Sequence, residues 1–403
     1  MYISRTLQLQ IEKISSFFPV VLVTGPRQVG KTTMLKNCME KSRTFVSLDE
    51  LEIRNLAKSD PALFFQKYKA PLLIDEIQYA PELFPYIKSL VDESGESGMF
   101  WLTGSQQFLL MQNVTESLAG RVGILEMQGF SIAEKANRKS VPFVPSMNFS
   151  DSKEKKDGPE IFREIWLGSY PRLCTNENAV DFWEFFYSAY IQTYIERDVR
   201  ALTKIGDELT FMKFMKTVAA RIGNLLDYND IAKDIGISQP TAKAWMSILV
   251  SCGIVFLLQP YSSNLTNRIV KTPKIYFSDT GLACYLTGWK TSEVLENGAM
   301  SGSFFENFVV SEVRKSYIHN GKTPSLFFYR DKDKKEIDLI LEENNVLYPV
   351  EIKKKSNPDK DDIANFKVLE KLNVQIGTGM VVCLTKNNLP IIDNVFSMNV
   401  QDL

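Results

Sequence analysis

The most chemically specific stretch of this 403-residue chain is GPRQVGKT, at positions 25–32. It fits the spacing G-x-x-x-x-G-K-[ST], in which glycines let successive backbone N–H groups curve around phosphate oxygens. An apolar run at 19–23 precedes it and a helical pattern follows it, so we predict a strand, a loop and a helix. The helix N-terminus would add partial positive charge beside a phosphate. The stretch therefore predicts a nucleoside triphosphate site.

Two side chains of this loop have roles that follow from their chemistry. Lys31 would reach the β- and γ-phosphates, and the hydroxyl of Thr32 would bind Mg²⁺. The predicted nucleotide contacts are Gly25, Pro26, Arg27, Gln28, Val29, Gly30, Lys31, Thr32 and Thr33. We saw no guanine-reading motif, so ATP and Mg²⁺ are the predicted cofactors.

A second buried strand leads to the acidic residues that such a site needs. An apolar run at 72–74 is typical of a parallel strand covered on both faces, and Asp75 and Glu76 follow it directly. Two adjacent carboxylates are costly unless a cation or solvent is near. We predict that Asp75 helps to hold Mg²⁺ and that Glu76 orients or deprotonates the attacking water.

Two further catalytic candidates lie downstream of the acidic pair. An apolar strand at 99–102 leads to Ser105, a candidate sensor of the γ-phosphate, with Gln106 as the alternative. Arg121 lies between a helical stretch and another apolar strand. It is either an arginine finger, acting in cis or on a neighbouring subunit, or a surface arginine at a helix C-terminus. The sequence does not separate these interpretations.

Composition excludes several classes of function. The formal net charge is −1, which gives no bulk electrostatic reason to bind nucleic acid or membranes. Five scattered cysteines form neither a disulfide framework nor a metal signature, and the single histidine, His319, is expected in a turn. The first residues lack the apolar region of a signal peptide, and no apolar run is long enough to span a bilayer. We therefore expect a cytoplasmic protein with no membrane partner.

The pattern of elements along the chain predicts several domains. Strands and helices alternate over 1–135, which indicates a parallel sheet covered by helices. A polar connector is expected at 136–160, a helical region at 161–265, and alternating elements again at 266–403. An aromatic stripe with helical recurrence, Phe182 to Tyr194, is interpreted as core packing.

The helical region contains a more specific pattern from Asp227 onwards. A short helix, a turn at Gly236, a second helix capped by Ser238 and an apolar strand at 254–258 predict a helix-turn-helix with a wing. Such a second helix can contact DNA. Its exposed face offers one cation, Lys243, whereas helices that bind phosphates usually carry more. DNA contact and a structural or protein-binding role both stay open.

A second possible chemistry comes from Asp338, Glu351 and Lys353, which fit a D…E-x-K pattern on two predicted strands. Residues i and i+2 of a strand share a face, so Glu351 and Lys353 point the same way. In a metal-dependent nuclease, carboxylates hold Mg²⁺, the metal activates water, and a lysine stabilises charge at the phosphate. Glu306, on a preceding amphipathic helix, is a candidate further ligand. The alternative is a half-buried sheet with one polar face.

With these motifs in order, the chain resembles a prokaryotic family of AAA+-like ATPases. Its members join a P-loop domain to a winged helix and a C-terminal domain of unknown function with a PD-(D/E)XK nuclease-like fold. The resemblance rests on GPRQVGKTT, LLIDEIQ, LTGSQQF, SLAGR, GSFFENFVVSE, EIDLI and VEIKKK. For the ATPase it implies roles for Lys31, Thr32, Asp75, Glu76 and Ser105. For the nuclease-like part it implies the set Glu306, Asp338, Glu351 and Lys353.

The expected fold is therefore α/β: a P-loop NTPase parallel sheet, a helical and winged-helix domain, and an α/β PD-(D/E)XK nuclease-like domain. The expected function is ATP binding and hydrolysis coupled to a C-terminal module that faces DNA. One alternative is a nucleotide switch that binds a protein partner, with the nuclease-like part as a scaffold. Another is an ATP-gated, Mg²⁺-dependent DNase. DNA, a protein and further copies of the chain are the partners that the sequence leaves open.

Overall fold

The structure, a computed structural model, describes residues 2–105, 114, 116–147, 155–195, 208–262 and 272–403, without the side chains of 194 and 195. The described chain divides into two compact units. Unit 1 comprises Met1–Phe130, Ser251–Gly253 and Ile318–Lys322, and unit 2 comprises Ser131–Val250, Ile254–Tyr317 and Thr323–Leu403. No helix in the described ranges has the length and apolar character needed to cross a membrane.

Unit 1 is built on a parallel sheet, which within the described residues has five strands in the order β2-β3-β4-β1-β5. The strands are β1 (Val20–Thr24), β2 (Thr44–Ser47), β3 (Leu72–Asp75), β4 (Phe100–Gly104) and β5 (Val122–Glu126). The helices are α1 (Gln8–Ser15), α2 (Lys31–Cys38), α3 (Leu51–Ser59), α4 (Pro61–Lys67) and α5 (Leu83–Ser94), with a 3₁₀ turn at Ile77–Tyr79.

The central strands of unit 1 are buried along their whole length. All residues of β1, β3 and β4 are buried, as expected for parallel strands whose two faces are both covered. The predicted α/β fold with a parallel sheet is thereby confirmed. Because the strands run in one direction, the residues that follow β1, β3 and β4 meet at one edge of the sheet.

Unit 2 contains a mixed sheet, with nine strands among the described residues. Eight follow the order β13-β14-β12-β10-β9-β8-β6-β7, and β11 pairs with β10. The strands are β6 (Val255–Pro260), β7 (Lys274–Phe277), β8 (Leu326–Arg330), β9 (Glu336–Glu343), β10 (Val346–Ile352), β11 (Gln375–Ile376), β12 (Gly379–Cys383), β13 (Pro390–Ile392) and β14 (Val395–Asn399). Strand β6 pairs with β7 and β8, so the sheet continues across the boundary that we placed between residues 265 and 266.

The helices of unit 2 precede and interrupt this sheet. They are α6 (Ile132–Lys135), α7 (Gly158–Leu167), α8 (Pro171–Cys174), α9 (Ala179–Tyr190), α10 (Glu208–Ala219), α11 (Tyr228–Ile235), α12 (Gln239–Ser251), α13 (Thr280–Thr287), α14 (Ser292–Glu296) and α15 (Ser301–Ile318). A π-helical stretch, Ile191–Ile195, and 3₁₀ segments at Ala364–Leu372 and Val400–Asp402 complete the set that is described.

The predicted helix-turn-helix pattern corresponds to α11 and α12. Gly236 between them has φ +74, and the hydroxyl of Ser238 accepts a hydrogen bond of 3.2 Å from the N–H of Thr241. The antiparallel hairpin β6–β7 follows, and Leu225, which lies between α10 and α11, forms an isolated bridge with Lys274 of β7. The order is therefore three helices with a bridge residue after the first, and then a hairpin.

The predicted aromatic stripe packs on only one of its sides. Trp183 stacks on Trp166 with ring centroids 4.3 Å apart, and Tyr187 is fully buried. Phe182 and Phe185 are 53% and 74% exposed, because the helical period places them on the opposite side of α9. The core interpretation is wrong for these two residues, and the side chain of Tyr194 lies outside the described residues.

Candidate functional site

The loop between β1 and α2 is shaped by two glycines. Gly25 has φ +140, and a Cβ atom there would lie 2.0 Å from the carbonyl oxygen of Met127. Gly30 adopts the left-handed conformation at the N-cap of α2, with φ +94, and has no side chain to cap the helix. The first N–H groups of a helix lack partners within the helix, so this end has donors of the kind that suit an anion.

Lys31 is buried at the start of α2 and folds back along the loop. Its Nζ donates hydrogen bonds of 2.9 Å to the carbonyl oxygens of Gly25 and Pro26. The other predicted contact residues follow the loop: Pro26 and Val29 are buried, Arg27, Gln28 and Thr32 are half-buried, and Thr33 is exposed. A helix N-terminus with an ammonium group at its first turn is a donor set that fits a chain of phosphates.

Asp75 ends β3 and lies beside the hydroxyl groups of two threonines. Its Oδ1 accepts hydrogen bonds of 2.6 Å from Thr32 Oγ1 and of 2.6 Å from Thr103 Oγ1. Carboxylate and other oxygen ligands beside substrate phosphates are what Mg²⁺ prefers. The predicted metal residues, Thr32 and Asp75, are thus in contact, and their chemistry fits Mg²⁺.

Glu76 follows Asp75 and is held by polar neighbours. Its backbone is left-handed, with φ +56, a conformation that is strained for a residue with a side chain. Its Oε2 accepts a hydrogen bond of 3.3 Å from Ser105 Oγ and another from Gln78 Nε2. The predicted pair of Glu76 and Ser105 is therefore in direct contact, and Gln106 lies outside the described residues.

Two further residues contact the acidic pair without having been predicted from the sequence, Thr103 and Gln78. Thr103 accepts a hydrogen bond of 3.1 Å from the N–H of Glu76 while its hydroxyl donates to Asp75, so it contacts both acids. Residues i and i+2 of a strand share a face, and Thr103 and Ser105 have this spacing at the end of β4. That spacing was an available signal. Gln78 carried none beyond its proximity to the acidic pair.

Arg121 lies at the wrong edge of the sheet for a role in cis. Strand β5 pairs in parallel with β1, with Val122 opposite Val20, so Arg121 precedes the sheet whereas the loop follows it. The five residues of β1 separate the two edges by about 16 Å. Arg121 Nε and Nη2 instead contact the two carboxylate oxygens of Asp92, at 2.5 and 3.0 Å, and this bonding lowers the pKa of Asp92. An arginine finger in cis is therefore ruled out.

Gln128, just after β5, joins separate segments of unit 1. Its N–H donates to Nε2 of His319 at 3.2 Å, and its carbonyl oxygen accepts from Arg5 Nη2 at 2.5 Å. His319 lies in a turn as predicted, but it is buried. Gly253 has φ +69, and a Cβ atom there would lie 3.1 Å from Cγ of Pro26 in the phosphate loop. Gly253 therefore lies beside the phosphate loop, and His319 bonds to the segment that follows β5.

The predicted D…E-x-K residues come together in unit 2. Lys353 Nζ lies 2.5 Å from Glu351 Oε1 and 3.6 Å from Asp338 Oδ2. The same Asp338 oxygen accepts a hydrogen bond of 2.9 Å from the N–H of Ile352. Adjacent strands β9 and β10 position these groups, as the sequence pattern suggested.

Glu306 has partners that the sequence did not reveal. Its Oε1 accepts hydrogen bonds from Lys274 Nζ at 2.9 Å and from the Tyr276 hydroxyl at 2.6 Å. Lys274 Nζ also lies 2.5 Å from Glu336 Oε1, and only 3% of its side chain is exposed. Arg330 forms a second ion pair with Glu336 at 3.1 Å. A lysine within the short apolar strand PKIYF gave no signal that it would enter an acidic cluster.

Burial and mutual repulsion shift the pKa values of these acids. Burial, and then the charge of Asp338, raise the pKa of Glu306 and raise that of Glu351 to about 8. Burial opposes the charged form of Lys274, but the charges of its acidic neighbours outweigh burial and raise its pKa. Within the described part of the chain, no group of three or more His, Cys, Asp or Glu side chains is arranged to hold a metal ion.

Comparison with known proteins divides the chain into three matches. Residues 18–136 match a family described as "AAA domain". Residues 159–293 and 301–403 match two families, DUF8612 and DUF4143, each described as a domain of unknown function.

Two similar proteins are each described as uncharacterized. An uncharacterized protein of Mycobacterium tuberculosis is 29% identical over 387 residues, which cover 94% of this chain and 80% of the relative. One of Methanocaldococcus jannaschii is 22% identical over 324 residues, covering 72% and 66%. A solved Walker-type ATPase of Pyrococcus abyssi is 15% identical, covers 70% of this chain and 94% of its own, and aligns with a TM-score of 0.45.

The family match and the geometry agree for the first part of the chain. A glycine loop between β1 and α2, a lysine at the helix start and a carboxylate at the end of β3 lie within the matched residues. The glycine loop and the carboxylate that follows β3 occur in the order and at the edge of the sheet that such ATPases require. Residues 18–136 are therefore an AAA-type P-loop ATPase domain.

Proposed function

We propose that the protein hydrolyses ATP with Mg²⁺ in unit 1 and couples the nucleotide state to unit 2. The observation that carries this proposal is the contact network around Asp75 and Glu76. Thr32 and Thr103 hold one acid, and Ser105 and Gln78 hold the other, so a metal corner and a water-activating group are adjacent. This arrangement suits hydrolysis, because phosphoryl transfer needs positioning and charge stabilisation more than covalent chemistry.

Each residue of the network has a separate task. Lys31 would give up its hydrogen bonds to the carbonyl oxygens of the loop and would donate instead to oxygens of the β- and γ-phosphates. Thr32 and Asp75 would hold Mg²⁺, which when bound neutralises charge on the phosphate oxygens. Glu76 would accept a proton from the attacking water or orient it, while Ser105, which contacts this carboxylate, would sense the γ-phosphate.

Coupling is supported by two chain segments of unit 1 that directly follow helices. Cys252 and Gly253 follow α12, and Gly253 lies beside Pro26 of the phosphate loop. His319 follows α15 and bonds to Gln128. A shift of the loop on phosphate binding would therefore act on the ends of two helices, one in the predicted helix-turn-helix and one that carries Glu306.

The elements from α10 to β7 carry the proposal about the partner. Three helices, a bridge from Leu225 to Lys274, and an antiparallel hairpin are the order of elements in a winged helix. Its second helix, α12, exposes Lys243. We propose duplex DNA as the partner, bound with low affinity at physiological salt because few cations are available to contact phosphates.

The test is Mg²⁺-dependent ATP hydrolysis by the wild type and Lys31→Ala, with and without duplex DNA. We expect hydrolysis to fall at least 100-fold in the variant, and DNA to stimulate the wild type. Lys36→Ala, which removes an exposed lysine from the same helix, is the matched control and is expected to keep wild-type activity.

Two results would change the proposal. Hydrolysis that DNA does not alter at any salt concentration would replace DNA with a protein partner. No hydrolysis by the wild type under any of these conditions would reduce the loop to a nucleotide-binding site and overturn the proposal.

A further inference from the structure

A buried ammonium group lies among the carboxylates of unit 2. Lys274 Nζ is within 2.9 Å of Glu306 and 2.5 Å of Glu336, and its side chain is almost fully buried. The Tyr276 hydroxyl donates to the same oxygen of Glu306. One oxygen of Glu306 therefore accepts from both an ammonium group and a phenol hydroxyl of the protein itself.

The other two carboxylates of the nuclease-like set are also occupied by protein donors. Lys353 contacts Glu351 at 2.5 Å and Asp338 at 3.6 Å, and the N–H of Ile352 donates to Asp338. An ion that entered between these acids would meet the ammonium group that bridges them. Repulsion between two cations at such a distance is strong in a buried site.

One carboxylate oxygen of the cluster stands apart. Glu351 Oε2 is buried and has no hydrogen-bond partner among the described residues. A single oxygen does not make a divalent site, because Mg²⁺ requires near-octahedral coordination and Ca²⁺ requires six to eight oxygens. The remaining oxygens of the cluster would first have to exchange their ammonium partners for the metal.

We propose that this cluster is a lysine-neutralised scaffold, in which Lys274 supplies the positive charge that a divalent ion supplies in a metal-dependent nuclease site. Lys274 joins α15 to β9 through Glu306 and Glu336, and Lys353 joins β9 to β10 through Asp338 and Glu351. Unit 2 then has no hydrolytic chemistry of its own, and its sheet supports the elements from α10 to β7 that are proposed to bind the partner. The inference concerns unit 2 alone and does not require ATP hydrolysis.

The first test is the number of Mn²⁺ ions bound by the nucleotide-free full-length chain, measured by electron paramagnetic resonance of free Mn²⁺. The wild type, Asp338→Asn and Glu351→Gln are expected to bind the same number, because the cluster takes none. One additional Mn²⁺ in the wild type, absent from both variants, would overturn the proposal. Nicking of supercoiled DNA with Mn²⁺ that disappears in Asp338→Asn and persists in Lys31→Ala would overturn it as well.

The second test removes the lysine. Lys274→Met is expected to bind one more Mn²⁺ than the wild type, and Lys274→Met with Glu306→Gln is expected to lose that gain. Lys274→Arg is the matched control, because it keeps the cation and should bind no more Mn²⁺ than the wild type. A folded Lys274→Met protein that binds no additional Mn²⁺ would show that the charge of Lys274 does not take the place of a metal ion. If thermal unfolding shows that this variant does not fold, the number of Mn²⁺ ions bound by the wild type and by Asp338→Asn still tests the proposal.

Discussion

The two acidic clusters of this chain differ in the charge of their partners. In unit 1, Asp75 and Glu76 accept hydrogen bonds from hydroxyl and amide groups, and within the described residues no basic side chain is paired with them. In unit 2, Glu306, Glu336 and Glu351 each contact an ammonium group. Whether a group of acids needs a bound cation to offset its charge therefore depends more on the charge of its hydrogen-bond partners than on the number of acids.

Neutral donors orient a carboxylate but leave its charge in place. Ammonium donors orient it and offset part of its charge, so the group acts as part of the structure. On this basis the unit 1 acids are expected to act with Mg²⁺ and nucleotide. The unit 2 acids are expected to be structural, and because the pKa values of Glu306 and Glu351 are raised, their ionisation does not stabilise the fold.

The largest expected effect is that of Glu76→Gln on ATP hydrolysis. Loss of a general base or water-orienting group lowers the rate by about 10²- to 10⁴-fold, whereas nucleotide binding should persist because Lys31 and the loop are unchanged. Steady-state hydrolysis and binding of a fluorescent nucleotide would measure the two properties. Glu351→Gln, the same substitution in the other cluster, should hydrolyse ATP within twofold of the wild type. A Glu76→Gln protein that keeps a tenth of the activity would contradict the catalytic role of Glu76 and the contrast with Glu351.

Another lysine-paired acid, Glu164, allows a test by pH. Burial opposes its ionisation, but ion pairs with Lys135 and Lys156 outweigh burial and lower the pKa of Glu164 to about 2, from 4.5 when unfolded. Its stabilising contribution is therefore present above pH 4.5 and is lost as pH falls towards 2; the loss is on the order of 2 kcal/mol. Thermal unfolding at pH 5 and pH 3 would measure it. Glu164→Gln should lose less stability than the wild type over this range, and an equal loss would contradict the assignment.

The next effect is that of Thr103→Val, which removes one hydroxyl at nearly constant volume. Thr103 positions both acids, so we expect kcat to fall by about tenfold, the size of one lost hydrogen bond to a charged group, with little change in KM. Thr103→Ser restores the hydroxyl and should restore most of kcat. A structural role alone would lower the melting temperature without this rescue, and a change confined to KM would also contradict the positioning role.

The smallest effect is expected from Arg121→Ala. Because Arg121 lies at the opposite edge of the sheet and pairs with Asp92, hydrolysis per subunit should stay within twofold of the wild type. Asp92→Ala breaks the same ion pair but keeps the arginine, so it is the matched control. A tenfold loss in Arg121→Ala that is absent from Asp92→Ala would establish a role on a neighbouring subunit.

The sequence predicted the parts of the site whose residues are contiguous. The glycine loop and the acidic pair each lie within a few residues, and the strand and helix around the loop follow from local patterns. The sequence also held a signal against a role for Arg121 in cis: a residue that precedes a parallel strand lies at the edge opposite the loops that follow the strands. Lys274 could not be found, because its partners Glu306 and Glu336 are distant in sequence and only the pairing of strands brings them together.

The ATPase unit is assembled from three separate segments of chain, and this limits how the gene can be divided. A fragment that ends near residue 135 would lack His319, the acceptor for the N–H of Gln128, and Gly253, which packs on Pro26. An unmet buried N–H costs about 1–3 kcal/mol, a large share of the stability of a small domain. Recombination or a fusion design that takes only the N-terminal part would therefore inherit the phosphate loop without the supports that hold it. An exchange of the ATPase unit between relatives would need Ser251–Gly253 and Ile318–Lys322 together with Met1–Phe130.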